Sequence, residues 1–244
     1  MKQNQAAWNS IADDWFGSTA LPVYGPTLPT ENALNLFGSL TGKKVLDIGC
    51  GSGHSLLYQA KQGAAELWGL DLSSRQIHNA DGLLRENGYA PHLFQSPMEA
   101  NPGIPTNYFD VVYSIYAFGW TWDLEKSVGL VYEYLKPSGV FIFSWDNPLA
   151  QCLDAEDGKY VLFRSYLEEA EIEFSKVGQP MILKNWKLSS YVNALAAAGF
   201  KIERLVEETD ESILRQEQAF TTKYYSKHKA QLIHTSFILK ATKP

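Results

Sequence analysis

What the chain has little of narrows it first. Two cysteines, Cys50 and Cys152, are too few for a disulfide framework or a zinc site. No apolar run reaches the roughly 18–20 residues that a membrane span needs. The opening residues, M-K-Q-N-Q-A-A-W-N-S-I-A-D-D-W-F, lack the apolar stretch of a signal peptide. The expected compartment is the cytoplasm, with no membrane partner. Basic residues are outnumbered: the net charge is −6, and the densest basic patches are Lys43-Lys44 and Lys223 to Lys229. A nucleic acid is therefore not an expected partner, because binding one needs a clustered basic face. No internal repeat, low-complexity tract or metal-binding cluster stands out, so no metal is expected.

Aromatic side chains, by contrast, are plentiful, with seven Trp, thirteen Tyr and twelve Phe. Most must be core, but several fall outside segments that read as core strands, and those are candidates for a substrate pocket. The remaining composition is that of an ordinary globular chain, 45% hydrophobic and 20% charged. Its 244 residues suit one large domain or two small ones.

The organising stretch is K-K-V-L-D-I-G-C-G-S-G-H-S, residues 43–55. It reads as a buried strand at 45–48 that runs into a loop with Gly49, Gly51 and Gly53, followed by a helix. Glycines at alternate positions let a ligand press on bare backbone beneath a helix N-terminus. The dinucleotide fingerprint is G-x-G-x-x-G, and here the third glycine comes one residue early. Glycines alone are equally consistent with a tight turn that serves packing.

Taken in order, residues 5–16 carry apolar groups at helical spacing, and a proline-containing loop leads to a short helix at 32–40. Strand and helix then alternate. Strands are expected at 45–48, 67–72, 92–95, 109–115 and 140–145, with helices at 53–62, 73–87 and 123–135. That alternation predicts a doubly wound α/β sheet with its ligand at the carboxyl ends of the strands. The rhythm breaks at 147–187, where alternation in F-R-S-Y-L and E-I-E-F-S suggests the strands of an inserted lid. It returns with a helix at 189–198 and a strand at 200–206. Residues 207–231 are polar and partly helical, and a last strand covers 232–240. The expected organisation is one domain over 1–244, with an N-terminal helix and lid segment at 1–30 and a substrate-side insert at 147–187.

Asp71 follows Gly51 by 20 residues, at the end of the second strand, where a carboxylate can accept both hydroxyls of a ribose. A helix-capping acid would look the same. Asp47 beside the loop suits a cationic ligand better than a pyrophosphate.

V-L-D-I-G-C-G-S-G followed by L-D-L-S resembles the class I S-adenosylmethionine-dependent methyltransferases, in the type 11 or UbiE-like branch. The resemblance spans most of 43–146 and extends to A-A-A-G-F at 196–200. It implies a Rossmann-like seven-stranded, mostly parallel sheet with the last strand antiparallel, and transfer of a methyl group to a small-molecule acceptor. It implies S-adenosylmethionine as cofactor, with Gly49, Gly51 and Gly53 behind its methionine part and Asp47 near its amino group. Asp71 would hold the ribose and Leu72 would pack on the adenine. The family's adenine-side acid is replaced by Q-S-P-M-E-A, where Met98 and Glu99 are the expected contacts and Ser96 the alternative.

Ser114, Ile115 and Tyr116 end the fourth strand beside the expected methyl group, and Tyr116, Trp120 and Trp122 are expected as a substrate floor. Packing beneath the next helix is the competing role for the tryptophans. Trp15, Phe16 and Tyr24 are expected to fold over the cofactor, whereas Trp8 reads as core. Candidate proton acceptors are Tyr116, His54 and Asp146, and more remotely His228 and His234. Arg164 could meet an acidic substrate group or pair with a neighbouring glutamate. A homodimer is compatible with the sequence. Two other functions also fit: a non-catalytic sensor or assembly protein that binds S-adenosylmethionine, and a nicotinamide-dependent oxidoreductase.

Overall fold

The computed structural model describes residues 2–244. Helix α1 (Lys2–Ile11) and the short α2 (Glu31–Leu34) precede the first strand, β1 (Lys44–Ile48). Then follow α3 (His54–Lys61), β2 (Glu66–Asp71), α4 (Ser74–Glu86), β3 (His92–Gln95) and β4 (Phe109–Ile115). Next come α5 (Leu124–Tyr134) and the long β5 (Leu135–Asp146). Two hairpins come after it, β6 (Leu153–Glu156) with β7 (Lys159–Leu162), and β8 (Glu171–Lys176) with β9 (Gln179–Lys184). The chain closes with α6 (Leu188–Ala197), β10 (Lys201–Val206), α7 (Glu211–Leu214), α8 (Lys227–Ala230) and β11 (Ser236–Thr242).

Seven strands form one sheet in the order β10-β11-β5-β4-β1-β2-β3. β1 to β5 are parallel, while β11 is antiparallel to both β5 and β10. This is the Rossmann-like, mostly parallel sheet expected from the alternation of elements. Successive side chains of a strand face opposite ways, so the sheet has two cores. Leu46, Ile48, Phe141 and Phe143 face α5 and α6, whereas Val45 and Ile142 face α3, α4 and, from Leu21 on, the strap at 17–40. Asp47 follows Val45 by two, and so a carboxylate is committed to the second, buried face. Among the described residues no helix is long and apolar enough to cross a membrane, and no cluster of metal-binding side chains occurs.

Several boundaries differ from those expected. α1 stops at Ile11, because turns at 12–17, with Gly17 at φ 73°, redirect the chain across the glycine loop. α2 spans four residues because the Glu31 carboxylate accepts from the backbone N–H of Leu36 and Phe37 and ends the helix. The segment 163–167 is not a strand: Phe163 and Leu167 are exposed and without partner strands. The insert instead makes hairpins at Asp157-Gly158 and Val177-Gly178, all four residues with positive φ. Asp-Gly is the usual mark of that turn, and the sequence carried it. The last strand begins at Ser236, after a stretch that includes α8.

The N-terminal helix bridges two parts of the molecule. The Asn4 side-chain amide donates to the Ile182 carbonyl at 2.6 Å and accepts from the Ile182 N–H at 3.0 Å, so it mimics a neighbouring strand along β9. On the other side Asn9 accepts from the Ser73 hydroxyl at 2.7 Å, and Asp13 takes Arg75 in two hydrogen bonds. Helix α1 and the β8–β9 hairpin thereby stand side by side as the roof of the strands' carboxyl ends.

Candidate active site

Beneath that roof lies a cavity of about 480 Å³. Its floor is the glycine loop. Gly49, at φ 76°, has no room for a side chain, since a Cβ would lie 2.3 Å from the Ala117 Cβ. Gly51, at φ 51°, has the opposite reason: nothing lies within 4 Å of where its Cβ would be, and it faces the cavity. The strap crosses this loop, with Gly17 N–H donating to the Ser52 hydroxyl at 3.1 Å and Leu21 N–H to the Ser55 hydroxyl at 3.2 Å.

Two carboxylates flank the loop. Asp47 is buried in β1, and its Oδ1 makes no hydrogen bond, although the Tyr113 hydroxyl, also unpartnered, is its neighbour on β4. Burial, and then the charge of Asp71, push its carboxyl well above the ordinary range. Asp71 ends β2 and accepts from Gly51 N–H at 2.9 Å and Ser73 N–H at 2.8 Å. Burial raises it to about 6 against the pull of those backbone donors. Leu72, Ser96, Met98 and Glu99 continue this wall. Glu99 is engaged on one side, where Oε1 accepts from the Thr121 hydroxyl at 2.9 Å and Trp122 N–H at 2.7 Å. It therefore holds the loop that carries Trp120 and Trp122.

The opposite wall is aromatic. Five of the seven tryptophans, Trp8, Trp15, Trp120, Trp122 and Trp145, line the cavity. Trp120 makes edge contacts with Trp8 at 5.4 Å and Trp145 at 5.9 Å. Gly119 permits this, since a Cβ there would strike the Trp145 ring at 1.9 Å.

At one end Asp146, the last residue of β5, gathers three donors. The Tyr116 hydroxyl reaches it at 2.5 Å, Tyr225 at 2.9 Å and Gln151 Nε2 at 3.3 Å. Burial raises Asp146 to about 6, and the two tyrosines counter it. Tyr116 holds a left-handed backbone at φ 56°, which turns its ring back over the strand ends. His54 lines the cavity at the start of α3, half-buried, with Nδ1 3.0 Å from the Ser52 hydroxyl. Burial lowers its pKa.

The cavity brings together Asp47, Gly49, Gly51, Asp71, Leu72, Met98, Glu99, Ile115 and Trp15 from the expected cofactor set. It also brings together Tyr116, Trp120, Trp122, His54 and Asp146. Seven candidates stand elsewhere. Gly53 faces α4, where a Cβ would meet Ala80 at 3.0 Å. Ser114 is fully buried and donates to the Ile48 carbonyl at 2.6 Å, tying β4 to β1. Tyr24 is buried against Phe37 and donates to Glu31 at 2.6 Å. Arg164 lies over the Phe163 ring and is not part of the cavity lining, although its charge acts on Tyr224, which is. His228 packs between Tyr160 and Phe220, and His234 lies 3.9 Å from Glu207. Phe16 is exposed and sits edge-on to His54. Trp8, read as core, is a wall of the cavity. Lys176, Phe174, Gln151 and Tyr225 are not singled out by the sequence, whereas Gly17 to Ala20 belong to the expected segment 1–30.

Comparison with known proteins bears on this architecture. A family model described as "Methyltransferase domain" matches residues 46–143. A ubiquinone biosynthesis O-methyltransferase of Pseudomonas entomophila is 31% identical over 185 residues, covering 74% of this chain and 78% of that one. The chain belongs to the class I S-adenosylmethionine-dependent methyltransferases. An uncharacterized protein of Haemophilus influenzae is 30% identical over 71% of this methyltransferase and 73% of its own length. An S-adenosylmethionine-dependent methyltransferase structure from Mesorhizobium loti superposes with a TM-score of 0.69 at 22% identity, covering 86% and 95% of the two chains. This methyltransferase is therefore an enzyme whose cofactor is S-adenosylmethionine. The oxidoreductase and sensor alternatives fall away. Its residues fit that cofactor: a buried Asp47 oxygen lacks a donor, and Gly51 leaves bare backbone open to the cavity.

Proposed function

We propose that this methyltransferase acts on a small-molecule acceptor, and that the acceptor lies between the tryptophan wall and Asp146. The observation that carries the reading is a single roofed cavity with the glycine loop at one wall and five tryptophans at another. When bound, S-adenosylmethionine supplies a methyl group already activated on a sulfonium. The remaining work falls to the chain, and consists of positioning, exclusion of water and removal of a proton.

In this reading the uncommitted Asp47 Oδ1 takes the amino group of the cofactor. Asp71 accepts ribose hydroxyls on the lone pairs that Gly51 and Ser73 leave free. Leu72 and Met98 cover the adenine, and Glu99 acts mainly by holding the Trp120 loop. Ile115 and Trp15 line the path of the methyl group, with the N-terminal segment 1–30 and the insert 147–187 as covers. Asp146 is the proton acceptor for an acceptor hydroxyl. Its value of about 6 leaves it ionised yet basic at neutral pH, and Tyr116 and Tyr225 hold it in place. The O-methyltransferase name of the Pseudomonas entomophila relative supports an oxygen acceptor. Two free, buried cysteines are in keeping with work in the cytoplasm.

Calorimetry with S-adenosylmethionine, S-adenosylhomocysteine and NAD, followed by turnover against a panel of phenols and enols, tests the reading. Binding of the first two ligands and methylation of a panel member are expected. Methylation of a protein or nucleic acid, with no small molecule accepted, would overturn the small-molecule assignment.

A further inference from the structure

Lys176 ends β8 and is contributed by the roof. Its Nζ lies 3.8 Å from the centre of the Trp15 ring and 5.1 Å from that of Trp8, and the residue lines the cavity. It is the sole lysine or arginine that does so. Among the described residues no hydrogen bond and no ion pair reaches its ammonium. Asp146, the nearby carboxylate that acts on its charge, stays beyond ion-pair distance. Burial accordingly makes the ammonium easier to deprotonate.

An ammonium held between two indoles has its faces stabilised by the ring quadrupoles, yet its N–H donors remain unspent. Withdrawing such a charge from water without a hydrogen-bond partner is costly, and an anion entering the cavity offsets that cost. The charge of that anion is limited. One lysine offers one positive charge, and four carboxylates, Asp47, Asp71, Glu99 and Asp146, line the same cavity. A dianion such as a phosphate monoester would bring twice the charge into a cavity lined by acids, with one ammonium to meet it. A monoanion on an apolar body suits both the lysine and the tryptophan wall.

We propose that Lys176 is the specificity-determining residue of the acceptor site, and that the methyl acceptor is a flat apolar molecule bearing a carboxylate that this ammonium binds. The inference rests on the small-molecule reading above and names its substrate class. The competing role is a staple: Lys176 would hold Trp8 and Trp15 together and touch no ligand.

The test uses the full chain saturated with S-adenosylhomocysteine and calorimetry with two matched probes, 2-naphthoate and 2-naphthamide. In the wild type the carboxylate is expected to bind about tenfold or more tighter than the amide, the scale of one charge-assisted hydrogen bond. Lys176→Met should abolish that preference and Lys176→Arg should keep it, with S-adenosylhomocysteine bound equally by all three. Equal affinity for the two probes, or no binding of 2-naphthoate, would overturn the proposal. So would a preference that persists in Lys176→Met. Weaker binding of S-adenosylhomocysteine by Lys176→Met would assign the lysine to the cofactor and overturn it as well. Failure of the wild type to bind S-adenosylhomocysteine would bring down the cofactor reading itself, a separate result.

Discussion

The glycine loop and the roof face each other across one cavity but are built by opposite means. The loop presents backbone: Gly49 and Gly51 at positive φ, and a Gly51 N–H held by Asp71. The roof presents side chains, among them Trp8, Trp15, Phe174 and Lys176, on α1, on the turns that follow it and on a hairpin remote from both in sequence. A ligand read by backbone leaves a spacing in the sequence, because only glycine tolerates those angles and approaches. A ligand read by side chains from distant segments leaves no period at all.

That division of labour is open to attack. The largest effect is expected for Asp146→Asn, which removes the proton acceptor but keeps the shape. Methylation of a hydroxyl acceptor should fall by about 10²–10⁴-fold, while calorimetry shows unchanged affinity for S-adenosylhomocysteine. In the wild type the same rate should rise as pH increases through about 6, where Asp146 ionises, and the variant should lose that limb. A flat profile in the wild type would remove Asp146 from the chemistry.

Asp71→Ala strikes the other wall. S-adenosylmethionine binding should weaken by up to about 3 kcal/mol, the scale of lost hydrogen bonds to a charged group. The folded variant should keep its relative affinities for the two naphthyl probes. Unchanged cofactor affinity would make Asp71 a brace for the Gly51 backbone and no more.

The smallest effect concerns stability. Asp71 and Asp146 have folded values raised to about 6, from an ordinary 3.8. Each favours the folded state while protonated, so the stabilisation is full below the unfolded value and fades as pH rises through the folded one. Asp13, Asp110 and Asp210 are lowered and act the other way, but they lose their contribution only below about pH 4, and His54, lowered by burial, opposes within the window as one half-buried group against two buried ones. The ligand-free protein should therefore melt a few degrees higher at pH 5.5 than at pH 7.5, as followed by calorimetry. Asp146→Asn should shrink the difference. A higher melting temperature at pH 7.5 would contradict the burial of these carboxyls.

The same contrast explains what could be read from the sequence. The five parallel strands, Asp47, Asp71 and the two loop glycines were legible, because alternation and positive φ leave marks. Gly53 stands outside the cavity lining because glycine is also required where α3 meets α4, and spacing cannot separate packing from ligand approach. Ser114 sits at a strand end beside the cavity, yet its hydroxyl is spent on the Ile48 carbonyl. Lys176 and Tyr225 could not be found, since each acquires meaning from partners far along the chain. The turn at Asp157-Gly158 was readable and would have moved the first hairpin to its true position.

The pairing of Asn4 with Ile182 has a practical side. Breaking it with Asn4→Ala should loosen α1 and β9 together, so that a protease acting on the native protein cuts near the first helix and at the hairpin sooner than it does in the wild type.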